Sequence, residues 1–327
     1  LTPAQVAALS TGTSGGLANL TTAEQGALTT AQIAALTTAD ATSLTTAELN
    51  GLGSAQLQAL STAAIASLTT DQAKNLTSSQ LNLLTSTQIR SLSTADLLNL
   101  TTAQTSNLST ANLQLLTTAQ IAALSTGTSG ALANLTTGQQ AALLTSQIAA
   151  LTTAEATSLT TAELNGLNSA QLQALSTADV RALTTSQTSN LTTGQVQLLT
   201  TAQIAALSTG TTGGLTNLTT AEQAALTTAQ IAALTTAEAF GLTTAELNAL
   251  NSSQLQALTT AEIQSLSTEQ TSNLSTAQIQ LLTTTEIRAL TTNQINNLTT
   301  AETGALTSSQ IQALTTAQIA ALPTDAF

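Results

Sequence analysis

Leucine recurs at every eighth position along almost the whole chain. After it come two small hydroxyl residues, an alanine, an amide or acid, and a branched apolar residue, as in Leu226-Thr227-Thr228-Ala229-Gln230-Ile231. Counted from Leu1, 36 octads, three eleven-residue units and a six-residue tail make up the 327 residues. Every octad opens with Leu, and position 6 is Ile, Leu or Val in 25 of the 36. With the hydroxyl residue at position 2 as N-cap, the Gln, Glu or Asp at position 5 is N3, which completes a capping box. Leu at position 1 and the apolar residue at position 6 then fall at N′ and N4, the two ends of a hydrophobic staple. Pro3 lands at N1, where proline is best tolerated. The pattern predicts an all-α chain, a solenoid of short capped helices with one helix per octad.

One long helix does not fit, because eight residues at about 100° each carry the leucine stripe round by roughly 80° per octad. A β-solenoid is the alternative. It would place Leu at position 1 and Ile at position 6 on opposite faces of a strand, and it would use Ala, Gln and Glu, which are poor strand formers.

A longer period lies over the octads. Position 6 lacks a large apolar residue at Ala41, Ala73 and Thr105, at Ala156 and Thr188, and at Ala239, Thr271 and Thr303, each series spaced by 32 residues. Four octads per coil is the expected turn, with one side packed less tightly. The eleven-residue units, LSTGTSGGLAN, LSTGTSGALAN and LSTGTTGGLTN, begin at Leu9, Leu124 and Leu207. Their glycines suggest turns that reset the phase of the coil. The chain therefore reads as one continuous solenoid over 1–327. Its sub-blocks are 9–123, 124–206 and 207–321, each opened by a glycine-rich unit, and its tail is 322–327. In the tail, Pro323 stops the pattern and Phe327 is available to cover an end. The opening at Leu1, inside a repeat and without Met, suggests a processed protein or part of a longer one.

Composition narrows the chemistry. There is no Cys, His, Met, Trp or Tyr, so no thiolate, no imidazole and no soft metal ligand is available. Four basic residues, Lys74, Arg90, Arg181 and Arg288, stand against sixteen acids, too few to neutralise a nucleic-acid backbone. No apolar run is long enough to span a bilayer. Thirteen acids sit at position 5, near the positive end of the helix dipole, and all four cations sit at position 7, near the negative end. Both sets are expected to be solvated helix-end charges. Nine Asn-Leu-Thr/Ser sequons, including those at Asn19, Asn75, Asn134 and Asn297, follow from the repeat wherever position 8 is Asn. No catalytic, cofactor-binding or metal-binding residue stands out, and no cofactor is expected.

LTTAQIAAL, LTTAELNGL and LTTAQIQAL resemble the octapeptide runs of large secreted bacterial repeat proteins, described as adhesins or surface proteins. The resemblance covers essentially the whole chain and implies a structural role at the cell surface or outside the cell. The expected function is a non-catalytic subunit of an extracellular filament that assembles end to end with copies of itself. One alternative is the stalk of an adhesin whose tip, for glycans or a cell surface, lies elsewhere. A minor one is an ice- or mineral-binding array of threonines.

Overall fold

A computed structural model describes residues 1–10, 20–126, 135–208 and 217–323. Among these residues there are 36 helices and no strand, one helix for each octad, so the β-solenoid alternative is overturned. Most helices are four to six residues long. The exceptions are Pro3–Ser10, Thr118–Thr126 and Thr201–Ser208, which run on into the start of the eleven-residue units. The chain forms two compact units, Leu1–Ala174 and Leu175–Phe327, and each is a solenoid of stacked octads.

The octad beginning at Leu84 shows why these residues fold as they do. Thr85 is extended, with φ −68° and ψ 162°. Its N–H donates to Gln88 Oε1 at 2.9 Å, and the Gln88 N–H donates back to Thr85 Oγ1 at 3.3 Å. The Ile89 N–H donates to the Thr85 carbonyl at 2.9 Å and the Leu92 N–H to the Ile89 carbonyl at 3.4 Å, and with Leu92 the backbone is extended again. The leucine of each octad thus closes one helix and leads into the next. In the interior these leucines and the residues at position 6 are buried, each side chain worth about 1.5–3 kcal/mol when removed from water.

Coils are joined by the residue at position 5. Gln88 Nε2 donates to the carbonyls of Leu57, Gln58 and Leu60 at 3.0, 3.3 and 2.8 Å. These lie at the C-terminal end of Ser54–Ala59, four octads earlier. In the second unit Gln294 Nε2 reaches the Ile263 and Leu266 carbonyls at 2.9 and 2.8 Å. Position 7 reaches the other way: Arg90 Nε donates to the Leu115 carbonyl at 3.1 Å, and Gln58 Nε2 to the Leu83 carbonyl at 2.8 Å. Helix–helix packing also runs to the third neighbour, as for Ser86–Ser91 against Thr62–Ala66 and Thr110–Leu115. The 32-residue spacing is therefore realised in the amide bonds, but the turn closes between the third and fourth octad rather than on the fourth.

Two expectations are corrected. The side carrying Ala41, Ala73, Thr105 and their equivalents is not looser, because these residues are as buried as the isoleucines elsewhere. Thr105 Oγ1 turns back to the Thr101 and Thr102 carbonyls at 3.2 and 3.1 Å. The glycine-rich units lie mostly outside the described residues, as does Phe327. Across two of the units, however, the register is kept and not reset. Gln139 reaches the Thr105 and Leu108 carbonyls, and Gln230 those of Val196 and Leu199, at 34 and 31 residues rather than 31 and 28. An eleven-residue unit takes the place of one octad and adds three residues.

Gln88→Leu keeps the volume but strips partners from the Thr85 N–H and from carbonyls of another coil. It is expected to cost about 1–3 kcal/mol in urea unfolding; an unchanged midpoint would show that the amide does not join the coils. Thr85→Val, which loses the cap acceptor and the hydroxyl's own bonds to Gln88 Oε1 and Thr87 Oγ1, should cost about 0.5–2 kcal/mol in the same assay.

Candidate functional site

The side chains that could carry chemistry are the acids, and the structure does not place them where the repeat suggested. Twelve of the thirteen position-5 acids are buried; Glu24 alone is exposed. They are not solvated helix-end charges, because position 5 points between coils. Each acid whose cap contacts are described puts one carboxylate oxygen on its own N-cap, as Glu286 Oε2 does in accepting from the Thr283 N–H at 2.5 Å. In a glutamine that role belongs to Oε1, and Nε2 goes on to the other coil. A carboxylate oxygen standing in place of Nε2 has no proton to donate.

The chain answers this in more than one way. Glu48, Glu163 and Glu246 each follow a buried position-6 glutamine, Gln25, Gln140 or Gln223, by 23 residues, and Gln223 Nε2 donates to Glu246 Oε1 at 2.8 Å. For Asp40, Glu238, Glu286 and Glu302 the second oxygen is buried without a hydrogen-bond partner. Burial raises the carboxyl pKa of Glu238, Glu262 and Asp96 above the ordinary range, against the lowering effect of hydrogen bonds from Thr235, Thr259 and Ser93 respectively. The charge of Glu262 raises Glu238 further. Exposed Glu24 goes the other way, lowered by its hydrogen bonds from the Thr21 backbone and hydroxyl.

The remaining candidates have structural employment or stand apart. Lys74, Arg90, Arg181 and Arg288 are exposed at position 7 as expected. Asn75 and Asn297 of the sequons turn their amides onto the carbonyls of Asp71 and Asn293, at 2.7 and 2.8 Å; Asn19 and Asn134 lie outside the described residues. The position-2 hydroxyls of most octads, though not that of Thr152, accept from N3 backbone groups, as Thr315 does from Gln318, which occupies much of the threonine array. Phe240 is exposed beside a surface depression lined by Leu242, Thr243, Ser267, Glu269 and Gln270. Glu269 is the one carboxyl in that lining, so a two-carboxylate hydrolytic arrangement is not assembled there. Among the described residues no group of acids could hold a metal ion. Nor, among them, is any helix long and apolar enough to cross a membrane.

Sequence reasoning missed the coil-to-coil role of position 5. The signal was the choice of residue: 21 of the 36 octads carry Gln there against thirteen acids. A helix first turn by itself favours the acid, so the excess of amide marked a need for a donor.

The ALTTAQ repeat family matches the chain over residues 43–78, 173–209 and 248–284, each a stretch of about four and a half octads. No curated protein and no solved structure matches it. Three separate matches to one repeat agree with the octad register found throughout the chain.

Proposed function

We propose that the chain is a non-catalytic structural protein, needing no cofactor, and a segment of an extracellular filament or surface fibre whose coils stack end to end with further copies. The observation that carries this reading is the state of the coil-to-coil interface near residues 308–322. Ile311 and Ile319 are 40% and 43% exposed there, whereas Ile279, Ile287 and Ile295 at the same octad position are fully buried. In the interior, the carbonyls at the ends of such helices accept from glutamines four octads further on, as Ile287 and Leu290 accept from Gln318 at 2.9 and 2.7 Å. Gln5, exposed in the first octad, caps Thr2, with the Thr2 N–H donating to its Oε1 at 2.7 Å.

The octad coil is thus its own natural complement, apolar residues and acceptors on one side and amide donors on the other. A contact of this kind, in which one face meets a different face of the next copy, does not close on itself and generates a filament. The match to a repeat family supports a structural repeat protein, and the resemblance to secreted surface repeats is the ground for a place outside the cell.

Negative-stain electron microscopy of the purified chain over a range of concentrations is expected to show uniform filaments that grow longer as concentration rises. The double variant Ile311→Glu with Ile319→Glu should abolish them while leaving the helical circular dichroism unchanged. Separate particles at every concentration would overturn self-assembly and favour a stalk whose binding part lies elsewhere.

A further inference from the structure

Buried carboxyl groups occupy places in the coil-to-coil interface where the repeat otherwise supplies a hydrogen-bond donor. We propose that Glu238 is held as a neutral carboxylic acid in mildly acidic surroundings and donates a hydrogen bond to the preceding coil as a glutamine would, so that the second unit is tightened by acid and loosened near neutral pH.

Three observations carry this. First, Glu238 Oε2 accepts from the Thr235 N–H, which leaves Oε1 where a glutamine has Nε2. Secondly, Glu238 is more than nine-tenths buried, and its Oε1 has no hydrogen-bond partner. Thirdly, the register puts carbonyl acceptors opposite. Across an eleven-residue unit the carbonyls that a position-5 glutamine reaches are 34 and 31 residues back, as Gln230 shows. For Glu238 these are Ile204 and Leu207. A carboxylate facing carbonyl oxygens is repelled, whereas the protonated acid forms a hydrogen bond there, with the proton taken from solvent.

The surrounding charges favour protonation. The helix of Glu238, Thr236–Gly241, packs against Thr260–Ser265, which brings Glu262. It also receives Gln270 from Thr268–Thr271, whose own acid, Glu269, is exposed. The sequence-adjacent helix Thr244–Ala249 carries Glu246, and the earlier coil, Thr193–Leu198 and Thr201–Ser208, carries no ionisable residue.

The sign follows from linkage. Burial and Glu262 hold the Glu238 carboxyl above its usual range, so folding takes up a proton. Stability from such a group is fully present below the unfolded value of about 4.3 and is lost as pH rises through the folded value.

The test is thermal unfolding of the full chain, followed by circular dichroism from pH 7.5 to pH 5, beside the variant Glu238→Gln. Gln is the residue the repeat itself uses at this position, so the variant keeps the fold. The native chain is expected to melt higher as the pH falls. The variant should melt higher at pH 7.5, by roughly 2–4 °C, with a flatter profile. Infrared spectra of the native chain at pH 6 should also show protonated carboxyl that the variant lacks. A native melting temperature that falls steadily from pH 7.5 to 5, or a variant no more stable at pH 7.5, would overturn the proposal.

Discussion

Everything in this architecture depends on one side-chain amide that serves two helices at once. A helix of five residues is almost all ends: its first four N–H groups and last four carbonyls lack intrahelical partners. Helices this short are not stable alone in water, because nucleation costs more than one or two turns return. In Gln88 the oxygen satisfies the N-terminal end of its own helix and the nitrogen satisfies the C-terminal end of another, 28 to 31 residues away in sequence. Burying that amide is favourable only because both of its atoms are used, since an unpaired polar atom in the interior is costly. The helix and the stack are therefore a single event. Where position 5 is Gln, capping its own helix and joining it to an earlier coil are one arrangement, as at Gln88.

Lapses from the rule show how strongly it constrains the chain. Asn112 is one methylene shorter than glutamine. It still reaches the Leu81 carbonyl at 3.1 Å, but it does not complete the box on Ser109. The Ser109 N–H is taken instead by Asn82 Oδ1 of a neighbouring coil at 2.7 Å. Glu246 cannot donate, and Gln223 donates to it. In both places the missing bond is replaced from a position 23 to 27 residues away. The buried carboxyls without such help are the places where the interface depends on its surroundings, because their hydrogen-bonding character changes with a proton while an amide's does not.

The local half of the structure was legible from the octad alone, because it is written within six residues. Thr227, Gln230, Leu226 and Ile231 spell cap, box and staple in one phrase, and the helices begin where that phrase puts them. The coil was harder to read, since its partners are carbonyl groups and every residue has one. Nothing in the side chain of Leu57 announces that its backbone oxygen receives Gln88. The 32-residue recurrence of Ala41, Ala73 and Thr105 was visible, but it did not mark a looser side, since the small residue is buried as deeply as an isoleucine. The position-5 acids were read from their helix, whose dipole they suit, and not from the coil, which buries them. A first-turn position can be a surface site in a free helix and an interior site in a stacked one, and only the excess of Gln over Glu distinguished the two.

The eleven-residue units show why such a chain can lengthen without losing its fold. Gln139 and Gln230 find the same partners across an insertion that other glutamines find without one, three residues further along the chain. What is conserved is the count of units between donor and acceptor, not the count of residues. Gaining or losing whole units therefore preserves every bond, whereas a deletion that removed part of an octad would move each later amide away from its carbonyl. The freedom left to the sequence lies in the outward positions, 3, 4 and 7, where the exposed Thr, Ala and charged residues sit. This is how a chain of so few residue types repeats one bonded arrangement within each of its two compact units.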